Sequence, residues 1–233
     1  AVLNIVGDGE IRSRNISDKR VKAYAINAGT GSTINHKSGK ISGFYGVNID
    51  TGNLTCSGKY EVSCEAIHAS GVIYIDGADV VVNAQNNLLG TSDSAIGIRV
   101  HPFDQECYIK NTKVRMNESG EGGNNLAGCI GIATNTGWKA PCNMENVDVE
   151  LVTGGDTWGG STYAIWAGAF GSETYIRNVN VTVQASEHFA PYGFYLSSNQ
   201  SEKLIIDGVN VQMDNIYESC KAFVACDAPV LLT

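Results

Sequence analysis

The sequence predicts an all-β chain wound as a solenoid of about seven or eight rungs. Three observations carry this: a repeat of about thirty residues, two-residue alternation inside each repeat, and glycine and asparagine far in excess of proline. The segments IYIDGADVVV (73–82), CYIKNTKVRM (107–116), CNMENVDVEL (142–151), TYIRNVNVTV (174–183) and LIIDGVNVQM (204–213) share one form. It is Ile or Met, then Asn or Gly two positions on, then Val. The anchors Ile75, Ile109, Met144, Ile176 and Ile206 are spaced by 34, 35, 32 and 30 residues.

A second element recurs between these segments with the same period, a small residue followed by an apolar one. It falls at Gly97-Ile98, Gly131-Ile132, Ala164-Ile165, Gly193-Phe194 and Ala222-Phe223. Upstream it continues at Ala66-Ile67, Gly46-Val47 and Ala25-Ile26, about twenty residues apart. No window sustains a 3.6-residue apolar period, which excludes helical repeats. Stacked rungs would align Ile98, Ile132, Ile165, Phe194 and Phe223 as an apolar ladder about 4.8 Å apart, the interstrand distance. Asn111, Asn146 and Asn178, with Gly77 and Gly208 in the other two repeats, hold one equivalent site. Asn and Gly share tolerance of left-handed backbone, so a bend between strands is expected there.

Composition supports the same class. Of 233 residues 27 are Gly and 21 Asn, while only 4 are Pro, so tight turns must be made inside regular structure. At 43% hydrophobic and 17% charged the chain is globular and not disordered. No run of eighteen apolar residues occurs and the first thirty positions lack a secretory signal pattern, so a soluble chain without membrane insertion is expected. A net charge of −8 argues against nucleic acid as a partner, because phosphate binding needs a basic face. Seven cysteines, none in a CxxC pair or beside His at zinc spacing, read as reduced and mostly buried thiols. No metal site and no cofactor is expected. Cys107 and Cys142 occupy equivalent rung positions and read as a thiol stack.

These rungs resemble right-handed parallel β-helices of the pectate-lyase-like superfamily. Within it, the Gly- and Asn-rich, acidic character is similar to bacteriophage tailspike and tail-fibre depolymerases. The likeness covers roughly residues 20 to 228 and carries no catalytic motif residue by residue. It implies a homotrimer, a virion or extracellular setting, and a bacterial surface polysaccharide as partner. Residues 1–20 read as an N-terminal cap or lead-in and 21–233 as the β-helix domain. The apolar finish at Val230-Leu231-Leu232 and the absence of an initial Met suggest a piece of a longer fibre; a self-capped domain is the alternative.

Two places for chemistry follow from the repeat. If the Ile/Phe ladder points in, strict alternation makes Ala66, Gly97, Gly131, Ala164, Gly193 and Ala222 point out and line a shallow trough. His68, Arg99, Trp166 and Tyr195 would edge it, and rings with a guanidinium suit an extended acidic glycan. Packing against a neighbouring subunit is the competing use of such a strip. The long turns after each Asn/Gly-motif strand bring Glu118, Glu121, Asp156, Trp158, Glu187 and His188 to neighbouring rungs. Glu121, Asp156 and Glu187 are the candidate catalytic carboxylates of a glycosidase, and Trp158 and His188 candidate substrate contacts. A lyase would instead draw on Arg99, His101 and Lys139 from a second loop set that also holds Asp104, Glu106 and Trp138.

Three functions therefore stay open. The first is a tailspike-like protein that binds and depolymerises a surface polysaccharide. The second is a non-catalytic receptor-binding or structural β-helix, and the third a secreted pectate-lyase-like lyase. GDGEI (7–11) lacks the following helix of a phosphate loop. The Asn-x-Ser/Thr sequons at Asn15, Asn53, Asn117, Asn180 and Asn199 carry no glycosylation claim.

Overall fold

The computed structural model describes residues 1–14, 22–85, 94–103, 105–119, 128–134, 142–153, 162–168, 173–185, 191–196, 204–214, 221–225 and 230–232. The described residues form strands and turns, and no helix among them is long and apolar enough to cross a membrane. Every strand pairing is parallel, and each joins segments roughly one repeat apart, which is a parallel β-solenoid. The repeat and its alternation predicted this class.

The strands stack into three faces. The ladder face holds Tyr24–Ala28, residues 45–49 and 65–70, Ser94–His101, Gly128–Thr134, Tyr163–Ala167, Tyr192–Leu196 and Lys221–Ala225. The tyrosine face holds Val2–Ile5, Ser32–His36, residues 52–56, 71–76, 107–110, 142–145, 174–177 and 204–206, and Val230–Leu232. The charged face holds Glu10–Arg12, residues 40–43 and 59–62, Asp79–Gln85, and residues 112–119, 147–153, 179–185 and 209–214. Residues 1–12 thus add strands to two of the faces.

Each face contributes a column to one continuous core. Ile26, Val47, Ile67, Ile98, Ile132, Ile165, Phe194 and Phe223 are successive register partners on the ladder face. All but Phe223, which is 36% exposed, are buried. Ile75, Ile109, Met144, Ile176 and Ile206 align on the tyrosine face, and Val80, Val114, Val149, Val181 and Val211 on the charged face. Each fully buried aliphatic side chain is worth about 1.5–3 kcal/mol, so stacking is where the stability lies.

The bend between tyrosine and charged faces forms as expected. Gly77, Asn111, Asn146, Asn178 and Gly208 have φ of 82°, 48°, 54°, 50° and 63°. Asparagine adds a ladder that glycine cannot. The Nδ2 of Asn111 donates to Asp76 Oδ1 at 2.7 Å, that of Asn146 to Asn111 Oδ1 at 3.0 Å, and that of Asn178 to Asn146 Oδ1 at 3.2 Å.

One expectation is overturned. Ala66, Gly97, Gly131, Ala164 and Gly193, the small residues of the small-then-apolar pair, face the interior and line no trough, while Ala222 in the last described ladder strand is exposed. A Cβ on Gly97 would lie 2.5 Å from the Gly131 carbonyl oxygen and 2.6 Å from Val114 Cγ1, and one on Gly131 2.6 Å from Val149 Cγ1. Ala66 and Ala164 are fully buried. Alternation breaks at the pair: direct partners run Ile96 with Ile130 and then Ile98 with Ile132, with the glycines between them unpaired in register. Both members of the pair turn inward because the ladder face must bend toward the charged face there, and only a hydrogen or methyl fits against its valines.

The five described cysteines, Cys56, Cys64, Cys107, Cys129 and Cys142, are buried and form no disulfide with one another; Cys220 and Cys226 lie outside the described residues. Cys107 and Cys142 are register partners with Sγ atoms 3.1 Å apart, a thiol stack. Burial, then the neighbouring Cys142, raises the Cys107 pKa well above its ordinary value.

Candidate functional site

Beyond the inward pair, alternation resumes, so the residue after each ladder position points away from the core. Asn27, Asn48, His68, Arg99, Ala133, Trp166, Tyr195 and Val224 are successive register partners in that column. A second column, three residues earlier, runs Tyr24, Tyr45, Glu65, Ile96, Ile130, Tyr163, Tyr192 and Lys221. Ile96, Ile130 and Ala133 form a small apolar cluster separate from the main core, with Tyr163 and Trp166 packed on it.

At one end of this surface sits a buried carboxylate. Glu65 is 2% exposed; its Oε2 accepts from the Tyr24 hydroxyl at 2.9 Å and lies 3.7 Å from His68 Nδ1. Its Oε1 lies 3.0 Å from Arg99 Nε, an ion pair without a well-aligned hydrogen bond. The rings of His68 and His101 are 5.4 Å apart. Burial is the largest single influence on Glu65 and acts to raise its pKa, but His68, the Arg99 charge and the Tyr24 hydroxyl together hold it below 4.5. Tyr24 is driven the other way, far above its ordinary value, by burial and then by the Glu65 charge.

At the other end four rings gather. Tyr163 stacks on Tyr192 at 5.0 Å and on Trp166 at 5.7 Å, and Tyr195 meets Tyr163 at 5.2 Å and Tyr192 at 5.5 Å. The Lys221 ammonium lies 5.9 Å from the Tyr192 ring. Rungs are about 4.8 Å apart, so Arg99 stands about 10 Å from Trp166 along the axis, with Ala133 between.

Chemically, Glu65 is ionised, covered and committed to its partners. It has no proton to donate and no open lone pair for a substrate, and instead orients Arg99 and His68, whose side chains stay 29% and 26% exposed. The described site therefore offers oriented donors, a cation and ring faces, without an acid–base pair. Among the described residues no group of three or more His, Cys, Asp or Glu is disposed to hold a metal ion.

Of the residues singled out in the sequence, His68, Arg99, Trp166 and Tyr195 share one outward column. Glu121, Asp156, Glu187, Trp158 and His188 lie outside the described residues, as do Asp104, Trp138 and Lys139. Glu118 departs from its expected place in an exposed turn. It lies in the strand Cys107–Ser119, 3% exposed, and its charge helps burial raise the Cys129 thiol pKa. His101 is on the ladder face beside His68, whereas Glu106 reaches Tyr74 on the tyrosine face, so these two members of the second loop set are not brought together.

Glu65, Tyr24, Tyr163 and Tyr192 were missed. Aligning repeats on the small-then-apolar pair puts Glu65, Ile96, Ile130, Tyr163 and Tyr192 in one column, and a carboxylate among apolar and aromatic neighbours was the available signal. Comparison with protein-family models, with curated proteins and with solved structures finds no match for the chain.

Proposed function

We propose that this β-solenoid binds an extended acidic polysaccharide along its ladder face. The observation that carries the reading is the outward column His68, Arg99, Ala133, Trp166, Tyr195, with Arg99 held by Glu65 and the rings buttressed by Tyr163 and Tyr192. An arginine anchored through Nε keeps its two terminal nitrogens for a carboxylate. Tyrosine and tryptophan rings one rung apart match successive apolar sugar faces, and a rigid platform loses little entropy when it binds. The same reading makes the solenoid right-handed and groups it with tailspike and tail-fibre proteins of the pectate-lyase-like kind, homotrimeric and acting at a bacterial surface. Cleavage would fall to Glu121, Asp156 and Glu187.

One observation favours the non-catalytic reading: the carboxylate at the described site is buried and held ionised, which suits binding and not proton transfer. The test is a panel of capsular and lipopolysaccharide glycans scored for binding, reducing-end release and ultraviolet absorbance of unsaturated uronates. Binding lost in both Arg99→Met and Trp166→Ala supports the ladder-face reading; binding unchanged in both refutes it. Reducing ends without absorbance would assign hydrolysis to Glu121, Asp156 or Glu187. Absorbance would assign a lyase using Arg99, His101 and Lys139, and neither product would leave a pure binder.

A further inference from the structure

The tyrosine face carries a repeat-level contrast of its own. Thr55, Tyr74, Tyr108 and Asn143 are successive outward partners, and Tyr175 follows one rung on. Two residues further along the strand run Asp76, Lys110, Glu145 and Arg177. In two rungs the tyrosine and the residue two after it make the same contact. The Lys110 ammonium lies 5.5 Å from the Tyr108 ring, and the Arg177 guanidinium 4.7 Å from the Tyr175 ring. At Tyr74 that second residue is Asp76, an anion, so no side chain of its own strand supplies a cation to that ring.

Around Tyr74 the surface is concave. A groove of about 630 Å³ is lined by Thr55, Ser57, Tyr74, Asp76, Glu106, Tyr108 and Lys110. Tyr74 is 38% exposed, and its ring is parallel to Tyr108, 6° between planes and 5.5 Å between centroids. Its hydroxyl donates to Glu106, which holds that carboxylate at the ring edge. Lys110 is engaged elsewhere, 3.2 Å from Glu145. Among the described residues no cation lies within ion-pairing distance of Asp76 or Glu106.

We propose that this groove binds a small organic ammonium ion, a protonated amine or quaternary ammonium, with its nitrogen against the Tyr74 ring and beside Asp76 and Glu106. A ring face attracts a cation through its quadrupole, and adjacent carboxylates add Coulomb attraction that a partly enclosed groove strengthens. The contact is the one the neighbouring rungs make with their own lysine and arginine. The groove volume is of the size that takes a small ligand. The site is on a different face from the glycan surface and stands independently of it.

The test uses the full chain and two probes of one shape, choline and its uncharged carbon analogue 3,3-dimethylbutan-1-ol, titrated by calorimetry and by proton chemical shifts. Choline is expected to bind saturably and the neutral analogue about tenfold more weakly or not at all. Tyr74→Leu and Glu106→Gln are each expected to weaken choline about tenfold, and Tyr175→Leu, whose ring already faces Arg177, to leave it unchanged. Both positions are on the surface, and matching unfolding midpoints would show the variants intact. Absence of saturable choline binding, equal affinity for the two probes, or unchanged affinity in either Tyr74→Leu or Glu106→Gln overturns the proposal.

Discussion

Replacing Arg99 by methionine keeps an apolar stem and removes the charge 3.0 Å from Glu65 Oε1, while Glu65 stays 2% exposed. Removing one partner of a buried ion pair costs about 3–5 kcal/mol, because the remaining charge is left in low dielectric. Here the loss is smaller. Arg99 retains 29% exposure, and Tyr24 at 2.9 Å and His68 at 3.7 Å still serve the other oxygen, which brings the expectation to about 2–3 kcal/mol. At this chain length each kcal/mol moves Tm by about 2–4 °C, hence a drop of about 4–12 °C. The pH dependence has a definite sign. Glu65 is held below 4.5, so its contribution is present above that pH and is lost as pH falls through its folded pKa. Without Arg99, burial dominates and the folded pKa rises, so the stability gap between Arg99→Met and the parent narrows as pH falls from the variant's raised pKa through the parent's lowered one. Urea titrations at neutral and acid pH measure both quantities, and a cycle with Glu65→Gln isolates the pair, since Arg99→Met should cost less once the buried charge is gone. A neutral-pH loss below about 0.5 kcal/mol, or a gap that widens in acid, is incompatible with a buried Glu65 charge that depends on Arg99.

The remaining expectations concern the solenoid that carries the site. Gly131→Ala places a methyl 2.5 Å from the Ala164 carbonyl oxygen and should cost about 3 kcal/mol or more, whereas Gly29→Ala, which meets nothing within 4 Å, should be neutral. Equal urea midpoints for the two would restore the outward-facing trough. Asn146→Ala loses two ladder hydrogen bonds and leaves a β-carbon at φ 54° without the polar side chain that favours this conformation, about 2 kcal/mol, while Asn146→Gly loses the same bonds but removes the β-carbon and should cost about half as much. An alanine variant as stable as the glycine one would sink that account. Buried His36 is held below 6.5 by burial, so the unfolded chain takes its proton first and stability declines as pH drops below 6.5. In His36→Gln the decline between that pH and the Glu65 window should vanish by chemical denaturation; persistence of the full slope would assign it to other groups.

Particular residues separate what the chain's pattern dictates from what its packing adds. The apolar columns, the left-handed bend at Asn111, Asn146 and Asn178, and the pairing of Cys107 with Cys142 follow from periodicity alone, because a solenoid repeats its environment once per turn. His68, Arg99, Trp166 and Tyr195 were placed on one column by the same logic. The direction of Gly97 and Gly131 was not legible. Two-residue alternation says which residues oppose each other in a regular strand, and it is silent about the single place per rung where the chain bends and two neighbours turn the same way.

The architecture is written in the local pattern of the chain, since period, alternation and turn chemistry are local properties that every rung reports again. Which outward groups meet is settled by the stacking of the rungs. Glu65 contacts Tyr24 forty-one residues earlier and Arg99 thirty-four later, and Tyr74 faces an anion where its neighbours face cations. Such contacts depend on register between rungs of unequal length and on side-chain reach across about 4.8 Å, quantities that exist only once the turns are stacked.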